Sequence, residues 1–117
     1  MIDQRAKDLG RLIGQSNEYK ALKKANDELS ADSEAVTSLR RMEQLRQDAQ
    51  RMISRGEEPT SEMERELDEL LSKVQVTAAY QRAVAAQENF DKFMMQVNTW
   101  ISEGIKAGAA SPIITLA

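Results

Sequence analysis

Along the last third of the chain, apolar residues recur on a strict alternation of three and four. The series runs Val76, Tyr80, Ala83, then Gln87, then Phe90, Met94, Val97 and Ile101, with Ile105 beyond it. This is the spacing of a heptad seam, and Gln87 is the one polar residue at a core position, where it would set register at some cost in stability. The pattern predicts a long final helix from an N-cap at Thr77 to Ile105, with Gly104, Gly108 and Pro112 ending it. Such a helix is roughly 43 Å long at ~1.5 Å per residue. A compact domain of this length is only about 35 Å across. One subunit is therefore expected to leave part of the helix bare, and a second copy to cover it.

Four shorter amphipathic stretches precede this helix. Ile2, Ala6, Leu9, Leu12 and Ile13 form the first, weakened at Gly10. Ser16-Asn17-Glu18 offers N-cap chemistry, either as a true break or as a kink, before Tyr19, Leu22, Ala25 or Asn26, and Leu29. Asp32 is the next predicted N-cap, with Glu34 in the first turn behind it. Val36, Leu39, Met42, Leu45, Ala49, Met52 and Ile53 then form a stripe that Gly56 ends as a C′ glycine. The clearest loop is Gly56-Glu57-Glu58-Pro59-Thr60. Ser61 and Glu64 follow it at capping-box spacing, and the stretch after them is expected to bury Met63, Leu67, Leu70, Leu71 and Val74. The fold class expected is all-α: an elongated antiparallel helical bundle with a long C-terminal helix and coiled-coil-like packing, dimeric. Residues 1–110 form the single domain, and 111–117 an apolar tail, either frayed or docked on a partner subunit.

Composition sharpens this picture by elimination. Charged residues make up 30% of the 117 and aromatic ones 4%, with two prolines and five glycines, which is the profile of helices rather than sheets. The absence of both His and Cys removes disulfides, thiolate nucleophiles, Ser-His triads, zinc-finger ligation and Cys-bound iron–sulfur clusters. No Gly-rich phosphate loop or nucleophile elbow appears. No enzymatic role and no cofactor are expected. No apolar leader follows Met1 and no apolar run approaches ~18 residues, so a soluble cytoplasmic protein without membrane contact is expected. A net charge of −3 does not draw the chain to nucleic acid.

Three clusters remain as candidate sites. The acidic run Glu57, Glu58, Glu62, Glu64, Glu66, Asp68 and Glu69 lacks the alternating ligands and glycine of a calcium loop and reads as favourable charge at a helix N-terminus. Arg40, Arg51 and Arg55 share a helix face that could meet RNA or an acidic partner, though no aromatic is interleaved to stack bases. The largest candidate is the seam itself. Tyr80, Val84, Gln87, Phe90, Phe93, Met94, Val97, Trp100 and Ile101 are the expected self-association interface, giving a homodimer or a higher homo-oligomer.

Several phrases resemble one family. Ser16-Asn17-Glu18-Tyr19-Lys20-Ala21-Leu22-Lys23-Lys24-Ala25, then Asp32-Ser33-Glu34-Ala35, the Gly56–Thr60 loop, and Phe90 through Val97-Asn98 to Ile101 look like the bacterial YlbF/YmcA group of small helical proteins. Length and loop position are most similar to its YheA-like branch. The resemblance implies an all-helical, cytoplasmic, commonly dimeric protein. Its better-known members are non-enzymatic partners in a complex affecting competence, sporulation, biofilm formation and RNA processing through ribonuclease Y. Some of them hold iron–sulfur clusters on cysteines, and because this chain has no cysteine that cofactor does not carry over.

Overall fold

In the computed structural model, which describes residues 1–110, five helices follow one another: α1 (Ile2–Gly14), α2 (Asn17–Ala31), α3 (Ser33–Ser54), α4 (Ser61–Gln75) and α5 (Ala78–Ala110). No strand occurs among the described residues. The apolar tail expected over 111–117 lies outside them.

Each break is made by a side chain that supplies what a helix end lacks. The oxygens of Ser16, Asp32 and Thr77 accept hydrogen bonds from the backbone N–H groups of Tyr19, Ala35 and Tyr80 at 3.1, 3.1 and 3.3 Å. Ser16 is thus a true break and not a kink. Gly56 closes α3 with φ at 78°, a conformation that glycine adopts without penalty. At α4 the cap differs from the expected Ser61–Glu64 box. Thr60, one residue earlier, accepts from Met63 N–H at 3.1 Å. Both hydroxyls are competent there, and Thr60 already has the extended backbone of an N-cap, so the helix gains a residue. Helix α5 also runs past Gly104 and Gly108 to Ala110. An interior glycine costs a helix only ~1 kcal/mol, and the three alanines from 107 to 110 offset part of that. Loss of the Asp32 oxygen in Asp32→Ala is expected to cost about 1 kcal/mol, read as a lower midpoint in urea unfolding.

The five helices make two arms of one antiparallel hairpin, α1–α2–α3 outward and α4–α5 back, with the Gly56–Pro59 loop at the tip. Tyr19 lies edge-on to Phe90, with ring centroids 5.8 Å apart. Arg82 reaches Glu28 at 3.6 Å, and Arg41 pairs with Glu66. Steps along one arm are thus matched by near-equal steps back along the other. The register sets the Asp32 break in the first arm beside the Thr77 break in the second. Both arms bend at one level, forming an elbow whose shallow cavity of ≈ 420 Å³ is lined by Ser33, Glu34, Ala35, Thr37, Ser38, Lys73, Val74 and Thr77. At this elbow sit the two least exposed of the described residues, Val74 at 1% and Ala35 at 2%.

The core is thin. Among the described residues only Leu22, Ala25, Ala35, Leu45, Val74, Ala83, Ala86 and Val97 are buried, and half of these are alanines. Leu22 and Ala25 of α2 meet Ala83 and Ala86 of α5, with Leu29 and Phe90 packed beside them. Between α3 and α4, Leu45 and Val74 are buried while Met52, Met63, Leu70 and Leu71 are half-buried. Leu67, expected in this core, lies at its margin with 36% exposure. The molecule measures 66 × 37 × 20 Å, with a radius of gyration of 21.2 Å. A globule of this length would have about 13 Å.

Candidate functional site

The long helix divides into two parts with different surroundings. From Ala78 to about Phe93 its inner face is occupied by α2 of the same chain. Ala83 and Ala86 are buried there, Tyr80, Phe90 and Phe93 are half-buried, and the Phe90 and Phe93 rings lie 6.3 Å apart. Met94 is half-buried and Val97 buried beyond them, level on the hairpin register with the end of α1, where Ile13 is half-buried. Gln87 and Val84 point away from α2 and are exposed. The Gln87 amide donates to Asp91 of its own helix at 2.9 Å. The position facing α2 is Ala86, not Gln87. Neighbouring residues stand roughly 100° apart on a helix, and α2 lies on the side of Ala83, Ala86 and Phe90, which leaves Gln87 beyond its margin.

Past Val97 the neighbours stop. Trp100 is 55% exposed, Ile101 44% and Ile105 66%. Helix α1, at the same end of the molecule, has no buried residue, and Ile2 and Leu12 are exposed at 86% and 65%. Of the nine residues expected at a self-association interface, Trp100 and Ile101 combine large apolar area with free access. Tyr80, Phe90, Phe93, Met94 and Val97 are covered to differing degrees, and Gln87 and Val84 lie on the outer face of α5.

The arginine face of α3 is mixed in charge. Arg51 pairs with Asp48 at 3.3 Å, and Arg46 pairs with Glu43. Arg41, next to the three singled out, makes a bidentate bond across to α4, with Nε to Glu66 at 2.6 Å and Nη2 to Glu66 at 3.0 Å. Arg40 and Arg55 make no ion pair among the described residues. A groove here is lined by Arg41, Arg51 and Arg55 together with Asp48, Glu62 and Glu66. Acids interrupt the positive charge throughout, so no continuous track for phosphates is formed. The acidic run of α4 is spent on this pairing and on the α4 N-terminus, where Glu62 and Glu64 lie in the first turn. No cluster of acidic side chains among the described residues could hold a metal ion.

Hydrogen bonding to Arg41 holds the Glu66 carboxyl below the ordinary carboxylate range. A carboxylate with a depressed folded-state pKa adds stability that is present above its unfolded value and lost as pH falls through the folded one. The pair is solvated, so the gain is small. Glu66→Gln is expected to reduce the extra loss of thermal stability on acidification below about pH 4.3. Melts at neutral pH and near pH 3 check this, and equal acid-side losses in both proteins would count against it.

The described residues form an elongated all-helical hairpin that leaves large apolar side chains exposed on α1 and on the end of α5. The chain belongs to the family described as control of competence regulator ComK, YlbF/YmcA, whose model matches residues 2–106. Among its relatives is a UPF0342 protein of Limosilactobacillus reuteri (strain DSM 20016), 26% identical over 101 residues that cover 86% of this chain and 82% of the relative. The UPF0342 protein of Limosilactobacillus reuteri subsp. reuteri (strain JCM 1112) matches to the same extent. The family description is regulatory and names no enzymatic activity. No helix among the described residues is long and apolar enough to cross a membrane.

Proposed function

We propose that the protein is a non-enzymatic regulatory adaptor that works as a homodimer and acts by binding other proteins, in the manner its family's link to competence control suggests. The observation that carries this reading is surface. The subunit exposes 9197 Å², whereas a folded monomer of its 13.1 kDa mass exposes about 6,400 Å². The excess is roughly 2,800 Å² on that scaling. Granting residues 111–117 the whole surface of an extended chain removes at most about 1,000 Å² of it. What is left matches the area that obligate subunits bury, on the order of 2,000 Å² or more per complex. A thin alanine-rich core and a surplus of surface are the marks of a chain completed by another.

Light scattering across a range of concentrations tests the proposal, with a mass of twice 13.1 kDa expected. A single subunit's mass at every concentration would refute it. Capture of protein partners from the native host addresses the adaptor role, and a dimer that retains no partner would count against that half.

A further inference from the structure

Two apolar faces are left partly uncovered at the end of the molecule remote from the tip, and they match in length. Tyr19, near the start of α2, meets Phe90, cover of α5 ends at the buried Val97, and α5 continues to Ala110. Trp100, Ile101 and Ile105 lie bare on this extension. Residues 97–110 are roughly 21 Å long, and α1 is roughly 20 Å long. The stripe of α1 is covered in its own subunit only in part: Leu9 and Ile13 are half-buried, while Ile2, Ala6 and the flanking Leu12 are exposed. Gly104 and Gly108, one turn apart, stand on the same side of α5 as Val97 and Ile101. A Cβ added at either would meet nothing within 4 Å. Nothing among the described residues therefore calls for glycine at these positions, although each costs the helix ~1 kcal/mol relative to alanine.

We infer that α1 of one subunit lies along residues 97–110 of α5 in a second copy, and reciprocally, so that each copy's first helix completes the other's hairpin. The inference rests on the homodimer reading above and specifies its geometry. A two-fold operation lets both bare faces disappear in a single contact, made twice. Pairing the two α5 extensions with each other would instead leave both α1 faces in water. The two glycines give the incoming helix room for close backbone approach. Area agrees as well. Trp100 at 55% exposure presents on the order of 100 Å². With Ile101, Ile105, Ile2 and Leu12 the two faces supply several hundred Å² per subunit, against the roughly 800 Å² per partner that a stable interface buries. If the hairpin register continues, Leu9 of one copy comes opposite Ile101 of the other.

The absence of native cysteine makes a cross-linking test clean. Leu9→Cys and Ile101→Cys chains, one of them tagged, would be co-expressed and treated with a short thiol-reactive cross-linker. The expected product is the mixed covalent dimer. In parallel, Ile2→Asp with Leu12→Asp alters two exposed side chains and should leave the helical content unchanged while weakening dimerisation at least tenfold. If the unmodified protein is a monomer, the homodimer reading and this inference fall together. If it is a dimer that Ile2→Asp/Leu12→Asp leaves equally tight, or that cross-links only between two Ile101→Cys chains, the α1 exchange is wrong and the homodimer stands.

Discussion

Val74→Asp is expected to abolish cooperative folding, seen as loss of the thermal transition by circular dichroism. Val74 lies in the last turn of α4, 1% exposed, against the first turn of α3 at Ala35. Its carbonyl accepts from the Thr77 hydroxyl at 2.7 Å and from the Thr77 N–H at 3.0 Å, so it sits at the point where the second arm turns into α5. An aspartate there is a buried charge without a partner. It costs roughly 4 kcal/mol or more, at the upper end of single-residue effects. A protein of this length holds only about 6 to 17 kcal/mol in all, and so thin a core argues for the lower part of that range. Val74→Ala separates charge from volume. It removes two methyl groups and should cost about 2 kcal/mol while leaving the transition cooperative. An unchanged melt for Val74→Asp would mean that the elbow is not packed as described.

Trp100→Asp combined with Ile101→Asp should have the opposite signature: intact helix and lost association. Both side chains are exposed in the subunit at 55% and 44%, so charge placed there meets water in the monomer. In a dimer it would meet apolar surface, and aromatic anchors commonly carry 2 kcal/mol or more of such an interface. The expected result is a shift in the dissociation constant of at least about thirtyfold, equivalent to ~2 kcal/mol, with the far-ultraviolet spectrum unchanged at concentrations where the variant is monomeric. Unchanged association would exclude the distal part of α5 from the interface. Loss of helix would place these side chains in the subunit's own core.

What could be read from the chain was what is decided locally. Ser16, Asp32, Thr77 and Gly56 are legible as helix ends because a cap depends on a side chain and the three residues beside it. Register across the hairpin is not local. Nothing within α2–α3 says that the Asp32 break stands beside the Thr77 break, so the elbow was invisible. The same limit hid Ala35 and Ala86. A small residue is apolar enough for a core and unremarkable on a surface, and only the approach of the opposite helix decides which it is. Gln87 could not be placed by spacing, since it and Ala86 flank Ala83 on opposite sides and only the position of α2 decides which is covered. For the candidate surface, Trp100 and Ile101 stood out as aromatic and aliphatic residues on a seam. The face of α1 did not, because an amphipathic stripe looks the same whether it is covered by its own chain or by another.

The elbow also has a mechanical side. Neither arm carries an unbroken run of helical hydrogen bonds through the level of Asp32 and Thr77, so the angle between the α2–α5 rod and the α3–α4 rod is held by side chains around Val74 rather than by backbone. Helix α3 is roughly 33 Å long, so each 10° at that joint carries the Gly56–Pro59 tip through roughly 6 Å. In an assembly joined at the far end, the distance between the two tips is then a quantity that a few methyl groups determine.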